Sequence, residues 1–297
     1  MMSEAGTRKG GNGRIMSSRI ENMSFSIGSC LKRVVFFAFA AGVVFVSGES
    51  RADMTLSPSG DDDTAAIAAA ISTANPGDVI TLEEGTFLLS GTLTLDKGVT
   101  LKGASRDGTI LDFQKLCQGF IVSDPDAVLR DLTVTQGLLK AVNSTKLYGA
   151  AIWLQNGLVE NCLITDSDAY CASGTSYYVY GGGVAMSGGT LRNCEITRCT
   201  VGKGRGAKTC IGNALYMTGG TAVGCDIHHN DGGYTSTSGT GQTAASTVVY
   251  IDSNGVLLAS KIHDNTKDGI PGVFQKGGTM ANCLIYGNNG KRWAAGL

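Results

Sequence analysis

The stretch Gly181-Gly182-Gly183-Val184-Ala185-Met186-Ser187-Gly188-Gly189-Thr190-Leu191-Arg192-Asn193-Cys194-Glu195-Ile196 recurs, in altered form, on both sides of itself. A repeat held in register constrains a fold more than any single motif, because each copy must bury the same positions against its neighbours. Aligned on Cys162, Cys194, Cys225, Ser260 and Cys283, every copy has isoleucine two residues later: Ile164, Ile196, Ile227, Ile262 and Ile285. Every copy has glycine five residues earlier: Gly157, Gly189, Gly220, Gly255 and Gly278. Apolar residues stand three positions before the anchor (Val159, Leu191, Ala222, Leu257, Met280) and ten before it (Ile152, Val184, Leu215, Tyr250, Val273).

The anchor and the isoleucine share parity, so in an extended strand both point inward. The apolar residue three before the anchor has the opposite parity, so the chain must bend between them. Asn161, Asn193, Gly224, Ala259 and Asn282 occupy that bend, and Asn and Gly tolerate the left-handed backbone a sharp corner needs. The glycine five before the anchor marks a second corner. Each unit therefore reads as three short strands. Asn-Gly and Gly-Gly pairs also make two-residue hairpins, as in a blade or meander. Against that, the anchors lie 32, 31, 35 and 23 residues apart, and the length differences fall mainly in the segment after the third strand. Coils that stack and bulge at one corner predict this pattern. The expected fold is an all-β solenoid.

On these residues the chain resembles the right-handed parallel β-helix, or pectin lyase-like, superfamily of secreted bacterial proteins, from roughly Ala65 onward. The resemblance implies an asparagine ladder at the bend between the second and third strands. Asn161, Asn193 and Asn282 match that position; Gly224 and Ala259 interrupt it. Arg130-Asp131-Leu132-Thr133-Val134 is an earlier, degenerate copy with Leu132 at the anchor.

The first 52 residues read as a signal and processing segment. Lys32-Arg33 precedes the apolar run Val34 to Val46, and Ser50-Arg51-Ala52 is a cleavage site before Asp53. Such a run is too short to span a bilayer and suits secretion. Met16 or Met23 is an alternative start. Of 24 Lys and Arg and 25 Asp and Glu, seven basic and three acidic residues fall in this segment, leaving 17 against 22 and a net charge near −5. That balance carries no basic footprint for nucleic acid. Residues 53–297 make one solenoid domain. Asp61-Asp62-Asp63-Thr64 followed by an alanine-rich run predicts a short capping helix with Ile67, Ala68 and Ile71 on its inner face and a Thr cap. Asn75-Pro76-Gly77-Asp78 ends it. At the other end, Trp293-Ala294-Ala295-Gly296-Leu297 matches the opening of another coil. The expectation is a chain truncated at its C-terminus, with any anchor, transporter barrel or further domain missing; a membrane enters only through such an anchor.

Four of the cysteines that remain after the leader is removed are the ladder residues. Ser260 in the same slot favours buried thiols over stacked disulfides. Cys171, Cys199 and Cys210 lie in the bulging corners, where a Cys199–Cys210 or Cys171–Cys210 bridge is an alternative. No Cys-x-x-Cys spacing supports zinc.

Function belongs to the outward faces and bulges. The bulges Asp168 to Tyr180, Thr200 to Ile211 and Asp231 to Thr247 should lie side by side. They carry Tyr177, Tyr178, Tyr180, Lys203, Arg205, Lys208 and Tyr234, aromatic and cationic groups suited to sugar rings and uronate or sulfate. Three residues past the anchor, an outward column holds Thr165, Thr197, His228, His263 and Tyr286; one residue further stand Asp166, Arg198, His229 and Asp264. Stacking would set His228 over His263 and Arg198 near Asp166. His228, His263, Asp264 and Arg198 are therefore the candidates for acid–base work, against a plain surface ladder of charges. Asn230, Asn265 and Asn288, a further step along, shape the next corner.

The resemblance also implies what to look for. Lyases of this superfamily use a calcium-binding acidic cluster with an arginine base; its polygalacturonases use Gly-His-Gly and Arg-Ile-Lys elements. Neither appears here, so no catalytic residue carries over, no metal ligand set is named, and calcium enters only by resemblance. Two functions stay open: a secreted or cell-surface protein directed at polysaccharide, binding an acidic glycan with or without lyase or hydrolase cleavage, and a non-enzymatic adhesin displaying loops from a repetitive stalk.

Overall fold

Each coil takes its shape from left-handed corner residues. In the coil of Cys162, Asn161 (φ 50°) and Asp166 (φ 50°) bracket the strand Leu163–Thr165. A left-handed non-glycine residue costs about 1–2 kcal/mol, and the coil next to it repays this by continuing the same hydrogen-bonded ladder. The corner before the third strand is occupied by Asp131, Asn161, Asn193, Gly224, Ala259 and Asn282, all at positive φ. That confirms the bend read from the repeat. The structure, a computed structural model, describes residues 53–290 apart from 142–145, 172–177, 203–208, 233–246 and 268–269.

Three parallel sheets run the length of the described chain. The first has seven strands, among them Ile152–Leu154, Val184–Met186 and Leu215–Met217. The second has nine, among them Leu158–Glu160 and Thr190–Arg192; the third has eight, among them Leu163–Thr165, Glu195–Thr197 and Asp226–His228. Successive coils pair in register, with Ile164 on Ile196, Ile227, Ile262 and Ile285 in turn. The chain is an all-β, right-handed parallel β-helix. Its core is one apolar column, and Ile164, Ile196, Ile227, Leu191 and Val159 in it are wholly buried. The helix Thr64–Thr73 closes the first coil. Its buried residues are Ile67, Ala70 and Ile71; Ala68 faces outward. The inner stripe therefore runs 67, 70, 71, 74, the narrower spacing of a helix lying flat on a coil end. Thr64 is not the cap: Asp62 Oδ1 accepts from the Thr64 amide at 3.0 Å and the N-cap Asp63 makes no side-chain cap bond.

Two further expectations need correcting. In the fourth copy, Leu215 pairs with Val249, not Tyr250, and Tyr250 pairs with the outward Tyr216. The corner after this strand is one residue longer, so Ser253 (φ 50°) takes the left-handed turn that Gly189 (φ 68°) takes two coils before. A Cβ at Gly189 would sit 2.8 Å from the Asn156 carbonyl carbon, so the usual corner has no room for a side chain. The buried asparagine ladder also lies elsewhere than at the second-to-third bend. Asn161 and Asn193 are exposed, and Asn161 Nδ2 donates to Asp131 Oδ1 at 2.7 Å on the surface. Fully buried Asn230 and Asn265 instead form the ladder at the next corner.

Three of the four anchor cysteines are buried thiols, and Cys283 is a free, partly buried one. Cys162, Cys194 and Cys225 are free and inaccessible, and Cys194 Sγ donates to the Arg192 carbonyl at 3.3 Å. Cys199 is likewise a free, buried thiol, so the Cys199–Cys210 bridge is not formed. Its Sγ donates to the Thr197 carbonyl at 3.4 Å, the place an asparagine takes one coil on. Burial pushes the Cys199 and Cys225 thiols up to about 12, which leaves them unreactive. The alternative Cys171–Cys210 lies on side chains outside the described residues.

Between the third sheet and the first, three coils throw out paired extra strands. Leu138–Ala141, Asp168–Cys171 and Thr200–Val201 stack, as do Lys146–Tyr148, Tyr178–Tyr180 and Thr209–Ile211. Leu139, Ala150, Ala169, Val179 and Val201 give this fin a small core of its own. The first two bulges thus lie side by side. The start of the third, Asp231–Gly232, pairs with Thr266–Lys267, and its residues 233–246 lie outside the described residues.

Candidate functional site

All three histidines of the chain stand on one surface, the outer face of the third sheet. Ile227 and Ile262 point inward, so their flanking residues point out. Two outward columns result: Glu195, Asp226 and Lys261 in one, Thr197, His228, His263 and Tyr286 in the other. The corner adds Arg198, His229 and Asp264 at φ of 52°, 52° and 49°.

The His228 and His263 rings stack, with centroids 5.1 Å apart and planes 19° apart, and Tyr286 stacks on the far side of His263 at 4.8 Å. Their partners differ. His263 Nε2 lies 2.7 Å from Asp226 Oδ1 and its Nδ1 lies 2.9 Å from Asp264 Oδ2. Ionised carboxylates only accept, so both ring nitrogens must carry protons. Burial, the largest single influence on His263, opposes that charge, but the hydrogen bonds to Asp264 and Asp226 outweigh it and hold the imidazole above its usual range. Asp264 is held below the ordinary carboxylate range, first by its bond to His263. His228 has one carboxylate, Glu195 Oε1 at 3.1 Å from Nε2. The other oxygen of Glu195 is taken by Arg106 Nη2 at 3.3 Å. His228 Nδ1 faces His229 Nδ1 at 2.7 Å, with Thr197 Oγ1 further off at 3.5 Å.

Of the four acid–base candidates, the structure brings His228, His263 and Asp264 together. Arg198 belongs to a separate pair: its Nε and Nη2 reach Asp166 at 3.0 and 2.8 Å. Burial would raise the Asp166 carboxyl, but Arg198 and Thr165 hold it below its usual range. Sequence reasoning missed Glu195, Asp226 and Arg106. The first two share parity with the histidine column and one coil's offset brings them under it; Arg106, on a loop of an early coil outside the repeat, gave no signal.

Among the binding candidates, Tyr178 and Tyr180 sit on the fin beside the first sheet. Trp153, Tyr148, Tyr180, Tyr216, Tyr250 and Phe274 form one continuous stack, with successive centroids 5.3, 5.1, 4.6, 5.5 and 5.5 Å apart. Ala185, at the outward position between Trp153 and Tyr216, leaves the gap Tyr180 leans over. Ring faces here are turned to one another, and burial pushes the Tyr180 hydroxyl up to about 12. Lys146 lies 5.9 Å over the Tyr178 ring. Tyr177, Lys203, Arg205, Lys208 and Tyr234 lie outside the described residues. Among the described residues no three His, Cys, Asp or Glu side chains converge as a bound cation requires, and Asp166, Asp226, Asp264 and Glu195 each face a cation or imidazole. The described residues do not fit calcium, and no step below runs through it.

Residues 57–271 match the model of the family described as rhamnogalacturonase A/epimerase, pectate lyase-like. The chain belongs to that family. No curated protein matches it. Among solved structures it is similar to a mannuronic acid specific polysaccharide family 6 lyase from human gut microbiota, at 12% identity and a TM-score of 0.45 over 80% of this chain and 54% of that one. A pectin methylesterase from Erwinia chrysanthemi matches at 13% and 0.38 over 70% and 65%. A PL6 family alginate lyase matches at 12% and 0.34 over 82% and 40%. The chain thus spans about half the length of the first of these. Nothing about substrate or activity follows at such identities.

Proposed function

We propose that this chain is an exported protein that acts on an acidic polysaccharide by proton transfer at the histidine face. The observation that carries the reading is the unequal pairing of the two stacked imidazoles: His263 between two carboxylates, His228 against one. Neighbouring groups held in different protonation states are what acid–base catalysis requires. Cleavage of a uronate chain by elimination removes the proton beside the carboxylate, breaks the bond to the leaving oxygen and forms a C=C bond. The first proton goes to the imidazole pair of His228 and His229, and the leaving oxygen takes the proton on His263 Nδ1, whose partner Asp264 is exposed. Arg106 and the exposed Lys261, in register with Asp226, meet the charge that grows on the substrate carboxylate. The signal read from Lys32-Arg33 and Val34 to Val46 supports export, as does a family directed at pectin-type polysaccharide. No described helix is long and apolar enough to cross a membrane.

The full chain is incubated with pectate, alginate, chondroitin sulfate and a neutral glucan. Unsaturated uronate absorbance and new reducing ends are both followed. Product is expected from one acidic polymer, and His228→Asn should lower kcat by about two to four orders of magnitude. No product from any polymer, with the protein shown folded, overturns the reading. The display reading would then stand, favoured by the fin, whose paired strands have a small core of their own beside the solenoid.

A further inference from the structure

The nitrogen of His228 that would act as base is not open to a substrate. Glu195, pinned by Arg106, accepts at Nε2, so Nε2 carries the proton and Nδ1 of the neutral ring holds the lone pair. That Nδ1 lies 2.7 Å from His229 Nδ1, with the two rings at 88°. Two protonated nitrogens cannot share so short a contact, so His229 Nδ1 is the donor. Beside a neutral His228, the remaining lone pair is then on Nε2 of His229, an exposed residue.

We propose that Arg106, Glu195, His228 and His229 form a relay whose working atom is His229 Nε2, making His229 the catalytic base and His228 its positioning residue. The inference rests on the acid–base reading above. When Nε2 of His229 takes a proton from substrate, the proton on its Nδ1 passes to Nδ1 of His228. The positive charge comes to rest on the His228 ring, against Glu195. No proton is lost or gained and no oxidant is involved. Glu195 at one end draws the charge to His228. The cationic His263 ring stacked on His228 opposes it, offset by Asp226 and Asp264 at its own nitrogens, and Asp264, next to His229 on the corner column, favours charge on His229 instead. The left-handed corner at His229 (φ 52°) aims its side chain off the strand and across the preceding ring.

With only three histidines in the chain, six ring nitrogens report the arrangement directly. Nitrogen-15 spectra of histidine-labelled full-length protein, recorded on the alkaline side of neutrality, should show protonated Nε2 and bare Nδ1 for His228. His229 should show the reverse. Glu195→Gln supplies the remote test. Its amide oxygen turns to Arg106 and its NH2 to His228, forcing His228 to carry its proton on Nδ1 and His229 on Nε2. His229, which Glu195 does not touch, should therefore exchange tautomers. A native His229 already protonated at Nε2 overturns the relay, and the wild-type spectrum decides that even where the variant misfolds. An unchanged His229 in folded Glu195→Gln overturns it too. If the polymer assay yields product, His229→Gln should lower kcat about a hundredfold or more, and full activity would overturn the catalytic role. A lack of product sinks only the polysaccharide reading, since the spectra need no substrate.

Discussion

His263 shows how one residue's neighbours decide its charge. Two carboxylates, Asp226 and Asp264, accept from its two nitrogens at 2.7 and 2.9 Å, and its side chain keeps 15% of its exposure. Folding therefore raises its proton affinity, despite the burial that opposes charge. Stability from this residue is complete below the ordinary imidazole range, near pH 6.5, and is lost as pH rises through the raised value in the folded protein. Asp264 works in the opposite sense, with stability present above the carboxylate range and lost on acidification through its lowered value. Urea unfolding followed from neutral to mildly alkaline pH should thus show a decline in wild type that His263→Asn flattens. An identical slope in the two proteins would mean that His263 is neutral in the folded state.

At the scale of the element, the corner after the third strand is held by amides. Asn265 Nδ2 donates to the Ile227 carbonyl at 3.0 Å, and its Oδ1 accepts from the Asn230 amide at 2.9 Å and from Asn230 Nδ2 at 3.0 Å. The unit then repeats, with Asn288 serving Asn265 at 3.1 Å. Asn265→Ala leaves at least two buried groups unpaired at about 1–3 kcal/mol each. The urea midpoint should fall by an equivalent of about 2–5 kcal/mol, whereas Asn161→Ala, at an exposed corner, should cost about 1 kcal/mol or less. Equal losses at the two sites would place the ladder where the sequence put it. That misplacement has a physical cause. Asparagine is favoured both where the backbone turns left-handed and where a buried corner needs a donor and an acceptor, and residue type alone does not separate the two. The buried corner reads Ser167, Cys199, Asn230, Asn265; the first three donate to a strand carbonyl two residues back, and Asn230 and Asn265 also reach a carbonyl of the coil before. Small polar groups of different chemistry share one job there and hide it. The columns on the third sheet were legible because its strands in the five copies all have three residues. His228 over His263 followed from counting, while Tyr250 was misplaced where a corner grew by one residue. Arg106 completes the site from a loop with no counterpart in other coils, so no periodicity announced it.

For the whole molecule, a solenoid lacks the long-range closure that makes a globular domain unfold as one. Backbone pairing joins each coil only to its neighbours, so stability is largely a sum of coils and the interfaces between them, with long side chains such as Arg106 reaching further. The first coil would present a bare apolar end were it not for Ile67, Ala70 and Ile71, which join the same continuous core as Leu93 and Leu95. Ile67 is wholly buried, and truncation to alanine should cost about 2–5 kcal/mol at that end. The consequence should be local. Hydrogen exchange of Ile67→Ala, followed by mass spectrometry, should show faster exchange in Val79–Leu82, Leu93–Leu95 and Thr100–Gly103. Strands from Ile152 onward, including those carrying Glu195, His228 and His263, should keep native protection, because several intact coils separate them from the weakened cap. Exchange that quickened evenly from the first coil to Leu284–Tyr286 would show that the coils unfold as one cooperative block. The histidine face would then depend on the cap helix for its geometry, and substitutions at either end of the solenoid would be expected to disturb it.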